Sequence, residues 1–181
     1  MGIAPAITPY RIAHELHLSD ALDAPGTEET GSGTQEPAQP TASFRLLLVE
    51  DNLADAYLVR EAIRLHEVRL EMQAVEDGAE AISLFDRIEA DAKLACPQAV
   101  LLDLNLPKRP GVDVLRRIRQ SRRCGWIPVV VITSSDSARD REATATLGAD
   151  YYFRKPSTYD EFMKLGLLLR QIVDEHGKLQ S

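Results

Sequence analysis

Acidic residues follow two apolar stretches of the sequence at the point where each stretch ends. Glu50 and Asp51 come directly after a run of leucine and valine, and Asp103 closes a second apolar run over 99–102. Both runs are typical of strands buried on two faces of a sheet. Parallel strands end at a common edge, so we expect the three carboxylates to lie together there. Such carboxylates repel one another unless a cation joins them, and their hard oxygen ligands suit Mg²⁺.

A hydroxyl and an ammonium group follow two later apolar stretches, at Thr133 and Lys155. A phosphoryl group on Asp103 needs hydrogen-bond donors and positive charge for its remaining oxygens, and these two groups supply them. The residues alone therefore predict a carboxylate that accepts a phosphoryl group with metal assistance. The alternatives are structural: Glu50 and Asp51 cap the following helix, Thr133 caps another, Lys155 is a solvated charge, and Asp103 only forms a turn.

Strands and helices alternate regularly along the part of the chain that must position these side chains. Apolar stretches typical of short strands lie at 45–49, 70–75, 99–102, 128–132 and 151–153. Helical periodicity or helix-end signals follow each stretch, at 53–66, 81–88, 112–118, 137–147 and 157–175. This alternation predicts an α/β fold with five strand–helix units and a parallel sheet covered on both faces.

Four motifs at the strand ends occur in a familiar order: Leu-Val-Glu50-Asp51-Asn, Leu-Asp103-Leu-Asn-Leu-Pro, Ile-Thr133-Ser-Ser and Arg-Lys155-Pro156. Over about 44–175 the chain resembles the receiver domain of bacterial two-component response regulators. The Leu-Asp-Leu-Asn-Leu-Pro-Lys run and the long connection before it resemble the single-domain Rcp-type receivers, which often partner phytochrome-like histidine kinases. The resemblance implies a flavodoxin-like (CheY-like) doubly wound five-stranded parallel sheet, (βα)5.

The resemblance also implies a role for each site residue. Asp103 is the expected phosphoacceptor, Thr133 the hydroxyl donor and Lys155 the ion-pair partner of the phosphoryl group. The residues expected to hold Mg²⁺ are Glu50, Asp51, Asp103 and, through its backbone carbonyl, Asn105. Tyr152 matches the aromatic switch residue that moves inward when Thr133 is drawn to the phosphate, although it is also an ordinary core residue by type.

Two further details follow from the same resemblance. The Lys155–Pro156 peptide bond is expected to be cis, an isomer that is accessible chiefly before proline. Pro110 stands where the family often has aspartate before glycine, a departure that lies outside the chemistry.

The expected function is that of a stand-alone response regulator in a two-component phosphorelay. It accepts a phosphoryl group on Asp103 from a histidine kinase, of the phytochrome-like class or another, or from a phosphotransfer protein. We expect it to signal through protein contacts, because the sequence ends soon after the last helix, and not to be an enzyme beyond Mg²⁺-dependent self-phosphorylation and autodephosphorylation.

One alternative is a haloacid-dehalogenase-type phosphohydrolase, but that family places its nucleophile after the first strand with a second aspartate two residues on, where this chain has Asn105. Another is a pseudo-receiver that never carries phosphate, and the intact site argues against it.

Composition divides the chain into an N-terminal extension (1–43), a receiver domain (44–176) and a short C-terminal tail (177–181). Residues 24–43 are rich in Pro, Gly, Thr, Ser, Gln and Glu and are expected to form a disordered linker. The net charge is −7, and six acids against one base in 1–43 account for −5 of it. This acidic balance gives no general case for nucleic acid. The sequence carries no membrane-spanning or signal-peptide pattern, so we expect a cytoplasmic protein.

Two other features have less specific interpretations. A basic run is expected to be a solvated face or a protein-docking surface; its members are Lys108, Arg109, Arg116, Arg117, Arg119, Arg122 and Arg123. Cys96 and Cys124 match neither a disulfide framework nor a metal-ligand spacing and are expected to be reduced thiols.

The last predicted helix is apolar over more of its circumference than one contact with a sheet requires. One stripe comprises Phe162, Leu165, Leu169 and Ile172, and Met163, Leu167 and Leu168 fall outside it. We therefore expect a homodimer through the face made by the fourth helix, fifth strand and last helix. The alternative is that the N-terminal segment covers these residues within one chain.

Overall fold

The computed structural model describes residues 43–135 and 137–179, in which strands and helices alternate. The elements are β1 (Phe44–Val49), α1 (Leu53–Leu65), β2 (Leu70–Val75), α2 (Gly78–Ala90), β3 (Ala99–Asp103), α3 (Gly111–Gln120), β4 (Val129–Thr133), α4 (Ala138–Thr146), β5 (Tyr151–Arg154) and α5 (Tyr159–Leu179). The predicted α/β fold is confirmed. Apart from residue 43, the N-terminal extension lies outside the described residues, and so does the linker predicted within it.

The five strands form one parallel sheet in the order β2-β1-β3-β4-β5. Val49 at the end of β1 aligns with Leu102, and Asp103 at the end of β3 aligns with Ile132. All residues of β3 and β4 are buried, as their unbroken apolar composition predicts. The register brings the carboxyl ends of the central strands to one edge, where the candidate residues follow.

Helices cover both faces of the sheet and enclose two apolar cores. Helices α1 and α5 lie over one face, with Val59 and Leu165 fully buried between them and the strands. Helices α2 and α3 cover the other face, where Phe85, Leu115 and Ile118 are fully buried. Burying a side chain of this size contributes roughly 1.5–3 kcal/mol, so the two cores fix the sheet edge firmly.

Helix α5 differs from the sequence-based prediction in how much of it is buried. Met163 and Leu168 lie in the core shared with α1, and among the three residues predicted to be exposed only Leu167 is so, at 36%. The expectation was wrong for the other two because α5 packs against α1 as well as against the sheet. Gly166 marks the close approach: a Cβ there would overlap the carbonyl oxygen of Ala62. The helix also continues to Leu179, past its predicted end at Glu175.

The two cysteines are not free thiols, contrary to the prediction. Cys96 and Cys124 form a disulfide between the α2–β3 connection and the α3–β4 connection, with their Cα atoms 5.7 Å apart. The residues lie 28 positions apart in the sequence, and α3 brings the second beside the first. Both connections precede strands, so the bridge lies at the edge of the sheet opposite Asp103.

The basic run is bound largely within the chain. Arg119 pairs with Asp150 at 2.7 Å and donates to backbone carbonyls, and Arg123 donates to the carbonyls of the α2–β3 connection. The expected solvated face is therefore wrong for these two arginines, whose hydrogen bonds join α3 and the following connection to neighbouring segments. Among residues 43–135 and 137–179, no helix has the length and apolar character needed to cross a bilayer.

Candidate phosphoacceptor and metal site

The structure brings together the three carboxylates that follow β1 and end β3. Glu50 is 2% exposed, Asp103 is 5% exposed, and Asp51 is open to solvent. One oxygen from each residue lies within 4.8 Å of the others. The site is therefore an acidic cluster in which two carboxylates are buried, and the exposed Asp51 gives ions access to it from solvent.

Lys155 supplies the positive charge that this cluster requires. Its Nζ lies 2.6 Å from Asp103 Oδ2, 2.8 Å from Glu50 Oε2 and 2.8 Å from Asp55 Oδ2. Its side chain is only 7% exposed, which excludes the alternative of a solvated surface charge. Burial by itself lowers the pKa of Lys155, but the hydrogen bonds to the three carboxylates outweigh burial and raise it, so the ammonium stays charged.

At Glu50, burial outweighs the hydrogen bonds, so the pKa of its carboxyl is raised. Its burial raises the pKa of the carboxyl, the nearby charge of Asp103 adds to that rise, and the hydrogen bond and charge of Lys155 oppose it. The backbone amide of Asn52 also donates to Glu50 Oε1 at 3.1 Å. The site thus concentrates negative charge where solvent screens it weakly, which favours a bound cation.

Sequence reasoning missed Asp55, the third acceptor of Lys155. Asp55 lies in the first turn of α1, four residues after Asp51. The one local signal that places it near the site is its position in the first turn of the helix that follows Glu50 and Asp51. The contact itself spans 100 positions of the sequence and depends on the fold.

The capping alternatives are excluded for both helices that follow the site strands. Asn52, not Glu50 or Asp51, caps α1 by accepting from the amides of Ala54 and Asp55 at 2.9 and 3.3 Å. Ser137, not Thr133, caps α4.

Thr133 ends β4 and is fully buried. Its Oγ1 accepts a hydrogen bond from the amide of Ser135 at 3.1 Å, and its carbonyl accepts from the amide of Lys155 at 2.8 Å. Its neighbour Ile132 aligns with Asp103 in the sheet. The structure therefore holds the hydroxyl at the same edge as the acidic cluster.

The predicted switch residue, Tyr152, is half-buried in β5. Its hydroxyl donates to the carbonyl of Ser135 at 3.2 Å, and the guanidinium of Arg141 lies 5.0 Å from the ring centroid. The ring thus contacts the segment that follows Thr133. The Lys155–Pro156 bond is trans, so the expected cis isomer is wrong. The trans bond suffices to bring Lys155 Nζ to the carboxylates, and it is the intrinsically preferred isomer.

The loop after β3 is fixed at several points. The amide of Asn105 donates to Asp103 Oδ1 at 3.0 Å, and the amide of Gly78 donates to the carbonyl of Pro107 at 3.3 Å. Lys108 has a φ of 62° and pairs with Asp77 at 2.5 Å. These contacts orient the loop that carries Asn105. Farther along, Pro110 precedes α3 without a side-chain cap.

The donor set of this cluster fits Mg²⁺. The carboxylates are hard oxygen ligands that leave part of an octahedral shell for water or phosphate, which is the pattern Mg²⁺ prefers. Glu50, Asp51 and Asp103 would hold the ion, and the carbonyl of Asn105 stays a predicted further ligand. The exposure of Asp51 leaves that side open to a phosphodonor.

Comparison with known proteins places the chain in a family. The family model of the response regulator receiver domain matches residues 46–165, more than half of the chain. The chain belongs to this family.

Two curated relatives and two solved structures show the range of the similarity. Response regulator Rcp1 of Synechocystis is 34% identical over 120 residues, 66% of this chain and 82% of Rcp1. The transcriptional regulatory protein TrcR of Mycobacterium tuberculosis is 37% identical over 129 residues, 71% of this chain and 46% of TrcR, so the chain spans about half the length of that relative.

The phosphorylated cyanobacterial phytochrome response regulator RcpA has a TM-score of 0.63 and 33% identity, over 72% of this chain and 91% of RcpA. A Mn²⁺-bound structure of Rcp1 has a TM-score of 0.61 and 33% identity, over 71% of this chain and 90% of that chain.

Proposed function

We propose that this receiver accepts a phosphoryl group on Asp103 from a histidine kinase in a two-component phosphorelay. The observation that supports this best is the 2.6 Å contact between Asp103 and Lys155 beside Glu50 and Asp51. An Asp103 oxygen forms the new P–O bond while the P–N bond of a phosphohistidine donor breaks. The leaving imidazole keeps the electron pair and takes a proton.

Each residue of the site has a defined part in this proposal. Glu50, Asp51 and Asp103 would hold Mg²⁺, which when bound would neutralise charge on the phosphoryl group. Lys155, already at hydrogen-bond distance from Asp103, donates to a phosphoryl oxygen after transfer. Thr133 moves to donate its hydroxyl to a phosphoryl oxygen, which breaks the hydrogen bond from the Ser135 amide to its Oγ1. The hydrogen bond from the Tyr152 hydroxyl to the Ser135 carbonyl then rearranges. This movement would link the state of Asp103 to the surface around Tyr152.

Intact-mass analysis after treatment with acetyl phosphate tests the proposal. Wild type should gain one phosphoryl group in the presence of Mg²⁺ and none after chelation. Asp103→Asn should gain none under either condition. The matched control is Asp86→Asn, which changes an exposed carboxylate of α2 that pairs with Arg117 of α3. This variant should behave as wild type. An adduct of unchanged yield in Asp103→Asn contradicts the proposal.

The phosphodonor is proposed to be a phytochrome-like histidine kinase. The support is the similarity to RcpA, a phytochrome response regulator, and to Rcp1 over most of its length. Output through protein contacts and a cytoplasmic location stay predictions, as do the boundaries 1–43, 44–176 and 177–181.

A homodimer through α4, β5 and α5 is also a proposal. Its apolar support is narrower than the sequence suggested, because Leu167 is exposed while Met163 and Leu168 are buried. Sedimentation of wild type and Leu167→Glu, each with and without beryllofluoride, tests it. A wild type that sediments as a monomer in both states contradicts the dimer.

A further inference from the structure

Asp55 binds the ammonium of Lys155 without belonging to the carboxylate group that would hold a metal. An ammonium has three hydrogens to donate, and Glu50, Asp55 and Asp103 accept them at 2.6–2.8 Å. Asp55 reaches Lys155 from the first turn of α1, and its side chain is 23% exposed. The ammonium is therefore held from two sides, by the sheet edge and by the helix.

Two of these three acceptors are shared with the metal site. Glu50 and Asp103 lie with Asp51 in the cluster that could hold a divalent cation. A cation bound there competes with the Lys155 ammonium for those two carboxylates, because like charges repel and the carboxylate oxygens are limited. Asp55 is the acceptor that the metal leaves to Lys155.

We infer that Asp55 is a positioning residue that keeps Lys155 beside Asp103 while Mg²⁺ occupies the acidic cluster. The inference rests on the proposed function of this site and adds a residue to it. By accepting from the ammonium, Asp55 keeps Lys155 at the site when the metal takes carboxylate oxygens of Glu50 and Asp103, so those oxygens are available to the metal. Its negative charge also favours the cation. Both effects strengthen Mg²⁺ binding.

The alternative is that Asp55 is an ordinary acidic residue in the first turn of a helix, where negative charge is favourable in any protein. Removing it would then alter Mg²⁺ binding only through the loss of one charge. Glu161 separates the two explanations. It lines the same cavity as Asp55 and Lys155, but its carboxylate accepts from Thr158 Oγ1 at 3.0 Å. Glu161→Gln removes an equal charge without removing a contact to Lys155.

Calorimetric titration of Mg²⁺ into the unphosphorylated full chain tests the inference. Asp55→Asn should weaken Mg²⁺ binding about tenfold, the effect typical of losing a residue that orients the immediate site. Glu161→Gln should weaken it less than about threefold, because it removes a solvent-screened charge without removing a hydrogen bond to Lys155. Equal Mg²⁺ affinities in the two variants, or a wild type that does not bind Mg²⁺, overturns the inference.

A double-mutant cycle shows whether Asp55 acts through Lys155. In a Lys155→Ala background, Asp55→Asn should change the Mg²⁺ affinity no more than Glu161→Gln does. A full tenfold loss in that background also overturns the inference. The intact-mass experiment separates the two proposals: Asp103 can take a phosphoryl group while Asp55→Asn matches its control, and only the role of Asp55 then fails.

Discussion

Reduction of the Cys96–Cys124 disulfide should destabilise the domain without changing the phosphoacceptor site. The bridge closes a loop of 28 residues. The loss of chain entropy in the unfolded state that such a loop imposes corresponds to about 3.5 kcal/mol. For a domain of this size, the melting temperature should fall by about 10 °C on reduction.

Calorimetry of the oxidised and reduced protein measures this change, with thiol titration and intact mass to verify the redox state. The Cys96→Ser, Cys124→Ser double variant should melt near the reduced wild type and should not respond to reductant. Because the bridge lies at the edge opposite Asp103, reduced and oxidised protein should take up phosphate from acetyl phosphate to the same extent. Equal melting temperatures for verified oxidised and reduced wild type would refute the reasoning.

Gly166→Ala should lower the free energy of unfolding by about 1–3 kcal/mol in urea titrations, because its Cβ overlaps the Ala62 carbonyl at the α1–α5 contact; an unchanged stability contradicts that packing. Lys108→Met should raise the pKa of Asp77, which the hydrogen bond from Lys108 now holds below its ordinary value. Asp77 stabilises the fold at neutral pH, and this effect is lost as the pH falls from the ordinary pKa of the carboxyl through its lowered pKa in the fold, so the variant should lose less stability on acidification; carbon NMR titration measures the pKa, and an unchanged pKa would contradict the prediction. Deleting 1–43 should leave the phosphorylation rate within about a factor of two, because residues 24–43 have the composition of a disordered linker between the N-terminal residues and the domain. A tenfold loss would show that the deleted segment contacts the domain.

Local sequence signals were enough to predict the sheet and to predict that Glu50, Asp103 and Lys155 lie together at one of its edges. The apolar run that ends at Asp103 predicts a strand buried on both faces. The alternation of strands and helices then predicts that the residues following each strand lie at one edge of the sheet. Glu50 and Lys155 could be placed there because each directly follows a strand.

What sequence reasoning missed depends on contacts between distant segments. Asp55 lies on a helix face, and its role appears only when Lys155, 100 positions away, is brought to it. The sequence spacing of Cys96 and Cys124 matches no motif, and the two residues become neighbours only because α3 packs beside the α2–β3 connection in the fold. The buried circumference of α5 is set by a second helix, which the periodicity of α5 alone cannot reveal.

Location of the phosphoryl group by chemical trapping tests the central claim most directly. Borohydride reduces an aspartyl phosphate to homoserine, and tandem mass spectrometry of the digested protein identifies the residue that has changed. After treatment with acetyl phosphate and Mg²⁺, homoserine should replace aspartate at position 103 and at no other acidic residue. Homoserine at Asp51 or Asp55, with Asp103 unaltered, would contradict the account.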